Sequence, residues 1–348
     1  MYEVRPFGTL RGQDVPLIRL TDGDISVELL PYGAAIRAIW VPDREGRSTD
    51  ICLGYDTLEE YRDQDACFGG TIGRCANRIG GASFTVDGTE YRLTANEGAN
   101  TLHGGGEGFH KKLWRYACGE NSVTFTLDSP DGEEGFPGNL QVEMTYRLQS
   151  DANALVIEYK AETDKTTIVN LTNHGFFNLA GIGNPTPTVD NHVLTLYADH
   201  YVPIDEVSIP TGEIRAVAGT PMDFTTPHTI GERINDDFIQ LKHGSGYDHC
   251  YVLNKREKGE LSLAAECYEP QSGRVMKVYT TEAGVQLYTG NWLNGFAGAH
   301  GATFPARSAV CFEAQSFPDT PNRPYFPAAT LHPGETYNQT TIYEFGVK

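Results

Sequence analysis

Apolar and polar residues alternate with a period of two along much of the chain, and this spacing is typical of β-strands that bury one face. The alternation is clearest in residues 123–127, 140–148, 155–161, 275–279 and 337–345. Polar residues in each run occupy the positions that would face solvent. Each run therefore predicts a half-buried strand of an antiparallel sheet.

Turn-forming residues separate these runs, and helical periodicity is weak. Asp87-Gly88 lies between residues 84–86 and 91–93 and predicts a β-hairpin, because glycine readily adopts positive φ. Short helices are expected only near residues 58–61 and 230–234. Strands do not alternate with helices, which disfavours a parallel sheet. We predict an all-β fold, a large antiparallel β-sandwich with few short helices, formed by a single domain over residues 1–348.

Charge and composition narrow the class of ligand. The chain has 348 residues with 27 Lys and Arg against 46 Asp and Glu, so its formal net charge is −19. Nucleic acids and anionic membrane surfaces require clustered cations, so we expect neither as a partner. A neutral small molecule is the expected ligand, bound by a monomer or a homodimer.

The cysteines and the N-terminus suggest a cellular compartment. Seven cysteines are scattered along the sequence without a C-x-x-C pair. The opening residues, MYEVRPFGTLRGQD, contain no apolar stretch behind a basic one. We therefore expect buried, reduced thiols and a cytoplasmic protein.

Three segments place ionisable side chains among apolar residues. His103 lies in NEGANTLHGGG, His174 in VNLTNHGFFNL and Glu313 in VCFEAQ. A histidine is the natural proton donor near neutral pH, and a carboxylate is a natural base. Structural explanations remain open: an incidental histidine in a glycine turn, a core histidine, and a carboxylate on an outward strand face.

A metal site is not expected. His103, Glu107 and His110 provide ligand types, but their spacing is not that of a helical H-E-x-x-H motif and glycines interrupt any helix. Asn77 and Arg78 are suited to hydroxyl or carboxylate recognition, and Asp248 could accept hydrogen bonds from ligand hydroxyls. Their alternatives are a structural amide, a surface arginine and a turn-forming aspartate. Spacing alone does not show that any of these residues converge.

Taken in order along the chain, these segments resemble those of the galactose mutarotase (aldose 1-epimerase) family. The matching segments are GRCANRI, TLHGG, SPDGEEGFPG, NLTNHGFFNLAG, the G-Y-D-H turn, GVQLYTGN, CFEAQ and LHPGETYNQTTIYEF. They extend from about residue 5 to residue 345 and so cover nearly the whole chain. The resemblance implies a galactose mutarotase-like supersandwich and an isomerase that interconverts the α and β anomers of aldoses such as galactose and glucose.

The resemblance also implies catalytic roles. Glu313 is expected to be the general base that takes the proton of the anomeric hydroxyl, and His174 the general acid that protonates the ring oxygen. His103 is expected beside that oxygen. Their reference pKa values, about 4.3 for Glu and about 6.5 for His, place both groups near the required protonation states at neutral pH. The family needs no metal and no cofactor.

The remaining implied residues bind the sugar. Arg78 and Asp248, together with Asn77 and Gln286, match positions that contact sugar hydroxyls. Phe176 departs from family members that carry a hydroxylated aromatic there. It can stack against a sugar but cannot donate a hydrogen bond to one.

Two other functions fit parts of the pattern. An epimerase for a phosphorylated or modified sugar would need extra cations, and the basic residues beside a motif are Arg74 and Arg78. A non-catalytic carbohydrate-binding module would use aromatic side chains as a stacking platform, with Trp292, Phe176 and Phe177 as candidates.

Overall fold

The computed structural model describes residues 1–64, 66–183 and 185–348. Its strands, in chain order, are β1 (Tyr2–Leu10), β2 (Gln13–Asp22), β3 (Ile25–Leu30), β4 (Ala35–Pro42), β5 (Ser48–Asp50), β6 (Thr71–Ile72), β7 (Arg78–Ile79), β8 (Ser83–Val86), β9 (Thr89–Arg92), β10 (Thr101–Leu102), β11 (Arg115–Cys118), β12 (Ser122–Ser129), β13 (Leu140–Gln149), β14 (Ala154–Thr163), β15 (Thr167–Ile168), β16 (Thr172–Asn173), β17 (Val193–Leu196), β18 (His200–Tyr201), β19 (Arg215–Ala216), β20 (His228–Thr229), β21 (Asp248–Val252), β22 (Ser262–Tyr268), β23 (Arg274–Thr280), β24 (Gly284–Tyr288), β25 (Phe296–Ala297), β26 (Thr303–Phe304), β27 (Cys311–Gln315), β28 (Thr330–Leu331) and β29 (Tyr337–Val347).

Helices are few and short. The α-helices are α1 (Leu58–Asp63) and α2 (Ile239–Gly244). Single turns of 3-10 helix occur at Gly80–Ala82, Phe109–Lys111, Glu133–Gly135, Ser150–Ala152, Val189–Asn191, Ile230–Glu232, Ala299–Gly301 and Thr320–Asn322. Within the described ranges, no helix has the length and apolar character needed to cross a membrane.

Three antiparallel sheets dominate the architecture. The largest has nine strands in the order β11-β12-β13-β14-β29-β23-β22-β17-β20. An N-terminal sheet contains β1 to β5 in sequence order, and a third sheet, which we call the site sheet, has the order β19-β18-β21-β24-β27. The predicted all-β antiparallel fold is confirmed.

The sheets pack face to face around a shared apolar core. Gln339 of β29 donates from Nε2 to the carbonyl of Ala314 in β27 at 3.0 Å, and Tyr146 of β13 donates to the carbonyl of Ala34 at 2.8 Å. The nine-stranded sheet therefore touches both smaller sheets. Buried residues of all three form one cluster, which includes Ile18, Leu20, Ile36, Ile39, Phe125, Met144, Ile157, Val285, Leu287, Phe312 and Tyr343.

The alternation in the sequence corresponds to the strands of the nine-stranded sheet. In β12, Val123, Phe125 and Leu127 are buried while the residues between them are partly exposed. The Asp87-Gly88 turn joins β8 to β9, as the hairpin signal predicted. Burial of each such apolar side chain contributes roughly 1.5–3 kcal/mol, so the pattern itself drives these strands onto the core.

The helix predictions were partly right. Helix α1 forms where expected, because Thr57 and Glu60 make a capping box at its N-terminus. The segment near residue 230 forms a single 3-10 turn, Ile230–Glu232, instead of a helix. Helix α2 was not predicted, since its six residues are too few to show helical periodicity.

Candidate active site

A cleft of about 880 Å³ opens on the site sheet. Strands β24 and β27 explain its position, because both are buried on both faces: one face joins the core and the other forms the floor of the cleft. Of the eight residues given catalytic or sugar-binding roles from the sequence, seven line it, namely Asn77, Arg78, His103, His174, Phe176, Asp248 and Glu313. The eighth, Gln286, is buried outside the lining, and its Nε2 donates to Oδ1 of Asp248 at 2.6 Å.

Strand register brings the acidic and amide residues together. Gln286 of β24 pairs directly with Glu313 of β27 on one side and with Cys250 of β21 on the other. Asp248 stands two residues before Cys250, on the same face of β21. Residues separated by 27 to 65 positions in the sequence, Asp248, Gln286 and Glu313, therefore share one surface.

Glu313 is a buried carboxyl group with unused hydrogen-bonding capacity. It is 2% exposed, and its Oε2 has no hydrogen-bond partner among the described residues. Its Oε1 lies 3.7 Å from Nε2 of His174. Burial, together with the nearby charge of Asp248, raises the pKa of Glu313 well above its usual value, while Arg78 partly offsets this.

His174 is held by its backbone and by its ring. Its N–H donates to the carbonyl of Gly70 and its carbonyl accepts from Gly69, both at 2.9 Å. The ring stacks on Phe176 with centroids 4.7 Å apart and planes 11° apart. Burial, aided by the nearby His110, lowers the pKa of His174 to about 3.

The pKa shifts of Glu313 and His174 differ from the expectation drawn from reference pKa values. Both groups are removed from water, and burial penalises the charged form of each. The protein alone therefore favours a neutral acid at Glu313 and a neutral imidazole at His174. In that state the pair is uncharged, and its acidic proton is on the carboxyl group of Glu313.

His103 is fixed as a hydrogen-bond donor toward the cleft. Its Nδ1 accepts from the backbone N–H of Asn77 at 3.2 Å, so in the neutral imidazole the proton is assigned to Nε2. Its own N–H donates to the carbonyl of Asn77 at 3.1 Å. The following glycine is required, because a Cβ on Gly104 would lie 2.0 Å from the carbonyl oxygen of Gly73.

The same geometry disfavours a metal ion. One ligand atom each of His103, His174 and Glu313 lies within 4.8 Å of the others. A metal-bound imidazole normally donates its second N–H to an acceptor, whereas Nδ1 of His103 accepts instead. The other combination considered from the sequence, His103 with Glu107 and His110, does not form such a ligand group among the described residues.

The guanidinium of Arg78 contacts the carboxylates of Glu97 and Asp248. Its guanidinium makes a bidentate contact with Glu97, at 2.6 and 2.7 Å, and its Nη1 lies 3.9 Å from Asp248 Oδ2. Its backbone N–H donates to Oδ1 of Asn77 at 2.9 Å. Burial raises the pKa of Asp248, and Arg78 offsets part of this effect.

The sequence did not identify Glu97 or the position of Trp292 as parts of the cleft, and it suggested Phe177, which does not line the cleft. Glu97 was missed, although it lies six residues before His103 in the same motif. Trp292 was considered only for a non-catalytic module, and the structure places it in the cleft lining. Phe177 is fully buried in the core and faces away from the cleft.

Arg74 has a structural task, unlike Arg78. It is buried, and its guanidinium donates to Ser129 Oγ and to the carbonyls of Ser129, Pro130, Pro137 and Gly138. These bonds hold the loop between β12 and β13. Burial lowers the pKa of Arg74 to about 10. Arg74 therefore contributes no cation to the cleft.

Comparison with known proteins identifies the family of the chain. The family model described as aldose 1-epimerase matches residues 16–344. The chain is 45% identical over 334 residues to the galactose mutarotase of Bos taurus, covering 96% of this chain and 94% of that protein. It is 38% identical over 338 residues to the aldose 1-epimerase of Escherichia coli K12, covering 96% of each.

A solved structure shows the same architecture. The crystal structure of an aldose epimerase homologue from C. elegans superposes with a TM-score of 0.87 at 30% identity, covering 96% of this chain and 99% of that one. Fold and sequence similarity therefore agree over nearly the full length of the chain. The chain belongs to the aldose 1-epimerase family.

Proposed function

We propose that this protein is an aldose 1-epimerase, an isomerase that interconverts the α and β anomers of free hexoses such as galactose and glucose. The observation that carries the proposal is the buried pair of Glu313 Oε1 and His174 Nε2, 3.7 Å apart on the floor of the cleft. Membership of the aldose 1-epimerase family supports it.

The proposed reaction uses the pair as base and acid on opposite sides of one bond. Glu313 takes the proton from the anomeric hydroxyl while His174 gives a proton to the ring oxygen, O5. The electron pair of the C1–O5 bond leaves with O5, and a C1 aldehyde forms. Rotation about C1–C2 exposes the other carbonyl face, and the O5 hydroxyl attacks it. His174 then takes the O5 proton back, and Glu313 returns a proton to O1.

The pKa directions suit one half of this reversal of roles. Ring opening starts from a carboxylate and an imidazolium, and it ends with a carboxylic acid and an imidazole. Both arrangements hold the same number of protons and have zero net charge, so the net charge of the buried pair does not change during the reaction. Burial favours the neutral arrangement, which is the one required for ring closure.

The other residues hold the sugar in the proposed mechanism. His103 donates from Nε2 toward the ring oxygen or a neighbouring hydroxyl. Arg78, Asp248 and Asn77 bind hydroxyl groups, and Gln286 orients Asp248 through the 2.6 Å hydrogen bond. Phe176 sets the plane of the His174 ring by stacking on it.

Polarimetry tests this proposal. The protein is expected to accelerate the decay of optical rotation of freshly dissolved α-galactose or α-glucose. His174→Asn removes the acid and should lower kcat by about 10²–10⁴-fold. The substitution His228→Asn, at a half-buried histidine outside the cleft lining, provides a matched control and should retain the wild-type rate. No acceleration above the buffer rate by the wild type, across galactose, glucose, xylose and arabinose, would overturn the proposal.

The two alternatives receive less support. Arg74 holds the loop between β12 and β13, and Lys242, which lines the cleft, is paired with Asp237. Phosphate recognition therefore has few available cations, and turnover of a free hexose against its 6-phosphate separates the two substrates. A non-catalytic module would leave the buried Glu313 and His174 pair without a purpose.

We also propose that residues 1–348 form one domain in a cytoplasmic monomer or homodimer. The shared core of the three sheets supports a single domain. Seven free cysteines support a reducing compartment. The net charge of −19 supports a partner that is neither nucleic acid nor an anionic membrane.

A further inference from the structure

Trp292 is an exposed aromatic side chain within the cleft. It is 64% exposed and lines the same cavity as His174 and Glu313. The other two tryptophans have packing partners: Trp114 is 2% exposed and meets Phe109 edge to face, and the ring of Trp40 is covered by Arg19 at 4.6 Å. The exposure of the Trp292 indole is therefore a specific property of this loop.

The backbone under Trp292 is anchored on both sides. Its N–H donates to the hydroxyl of Tyr288 at 3.1 Å. Leu293, the next residue, is buried in a cluster with Phe68, Phe176 and Cys311. Asn291, the preceding residue, donates to the carbonyls of Gly244 and Tyr247. The indole is thus presented to the cleft from a fixed support.

The other aromatic rings of the cleft wall pack against neighbouring side chains. Phe176 is 3% exposed, and one of its faces covers the His174 ring. Tyr288 meets Phe176 edge to face at 5.9 Å and His174 at 6.2 Å. Phe296 packs against Phe68 at 6.4 Å. Among the aromatic residues described in the lining, Trp292 is the one whose ring is largely open.

We propose that Trp292 is a substrate-binding residue whose indole face stacks on the apolar C–H face of the pyranose ring. An aromatic face and an apolar sugar face both lose water on contact, while the hydroxyl groups stay directed at the polar residues of the floor. The backbone N–H of Trp292 donates to the hydroxyl of Tyr288, and the centroid of the Tyr288 ring lies 6.2 Å from that of His174. The Trp292 indole, which we call the platform, therefore stands beside the reacting centre. This inference rests on the proposed aldose substrate.

Such a platform contributes to affinity and takes no part in proton transfer. Removal of the indole should therefore raise KM and leave kcat within about twofold, because stacking holds ground state and transition state alike. Trp292→Ala is expected to raise KM for galactose about three- to tenfold, as for other aromatic stacking contacts. Trp292→Phe restores a flat face and should recover most of that loss.

Intrinsic fluorescence measures binding without reference to turnover. Galactose at anomeric equilibrium is titrated into wild type, Trp292→Phe and Trp40→Phe. The wild type and Trp40→Phe should show a saturable change in emission, because Trp292 is present and covered by the sugar in both. Trp292→Phe should show almost none, since the remaining tryptophans lie outside the cleft lining.

The outcomes separate this inference from the proposed function. Acceleration of mutarotation with an unchanged KM in Trp292→Ala would overturn the platform and leave the function standing. A Trp292-dependent emission change without acceleration of mutarotation would overturn the function and support the platform. Saturable emission that persists in Trp292→Phe would also overturn the platform.

Discussion

Glu313 combines deep burial with an ionisable group, and this combination has a cost in stability. The folded protein holds the Glu313 proton more tightly than the unfolded chain does, because burial raises its pKa well above the usual value. A raised pKa stabilises the fold below the pKa of the unfolded chain, about 4.3, and that contribution is lost as pH rises through the folded value. At neutral to alkaline pH the side chain therefore favours unfolding.

Glu313→Gln should consequently stabilise the protein at alkaline pH. The amide has similar shape and no charge, so the free energy of unfolding at pH 8 should exceed that of the wild type by about 1 kcal/mol. The advantage should shrink at pH 5, where the wild-type carboxyl keeps its proton more readily. Urea denaturation at both pH values measures it. The exposed Glu120→Gln is the matched control, and equal stability of Glu313→Gln and wild type at pH 8 would contradict the burial argument.

At the scale of elements, loop and strand act together to position Arg78. Strand β7, which contains Arg78, pairs with β10, and Leu102 stands opposite Arg78. Glu97 lies in the loop before β10 and receives two guanidinium hydrogen bonds. The two short strands and this contact aim Arg78 toward Asp248. Glu97 is thus a positioning residue that acts through Arg78.

Glu97→Ala should therefore weaken sugar binding more than catalysis. Loss of the bidentate contact frees the guanidinium of Arg78, so KM should rise about three- to tenfold. The rise is smaller than for a fully buried ion pair, because Glu97 is partly exposed. The change in kcat should stay within about twofold. Steady-state polarimetry measures KM and kcat separately. Glu97→Gln should recover part of the lost affinity. Glu107→Ala, which removes an exposed acid outside the cleft lining, is the control. A fall in kcat with unchanged KM would show that Glu97 acts otherwise.

Elements were predictable from the sequence where one face is buried and the other exposed. Strands β12, β13 and β14 show this alternation, and so their existence follows from the apolar pattern. Strand β27 is buried on both faces, so its pattern gives no face for Glu313. Helix α2, with six residues, is stabilised by tertiary contacts such as that of Gln240 with Ile204 and shows no local signal.

At the scale of the whole molecule, the site depends on contacts that no local pattern encodes. His103, His174 and Glu313 arrive on a turn, after a two-residue strand and within a core strand, respectively. Their convergence results from sheet register and from loops that cross between layers. Residue chemistry alone identified the candidates, and only the ordered resemblance to a family implied that they meet. The pKa shifts were not predictable, because they depend on burial in the assembled cleft.

The net charge of −19 is distributed over the molecule and has no place in the proposed reaction. Within the cleft, Arg78 lies between two carboxylates, Glu97 and Asp248, and so forms a locally balanced group. A neutral hexose fits such a site better than an anion does. The proposed reaction therefore depends on acid–base chemistry at two buried groups and not on the overall field of the protein.

The most direct test of this account is the polarimetric kcat of Glu313→Gln with α-galactose, compared with that of Glu282→Gln. Both substitutions replace a carboxyl by an amide, but Glu282 lies outside the cleft lining and accepts a hydrogen bond from Tyr337 at 3.0 Å. We predict that Glu313→Gln lowers kcat by about 10²–10⁴-fold with the fold intact, while Glu282→Gln stays near the wild-type rate. A folded Glu313→Gln variant that keeps the wild-type rate would contradict the assignment of the base.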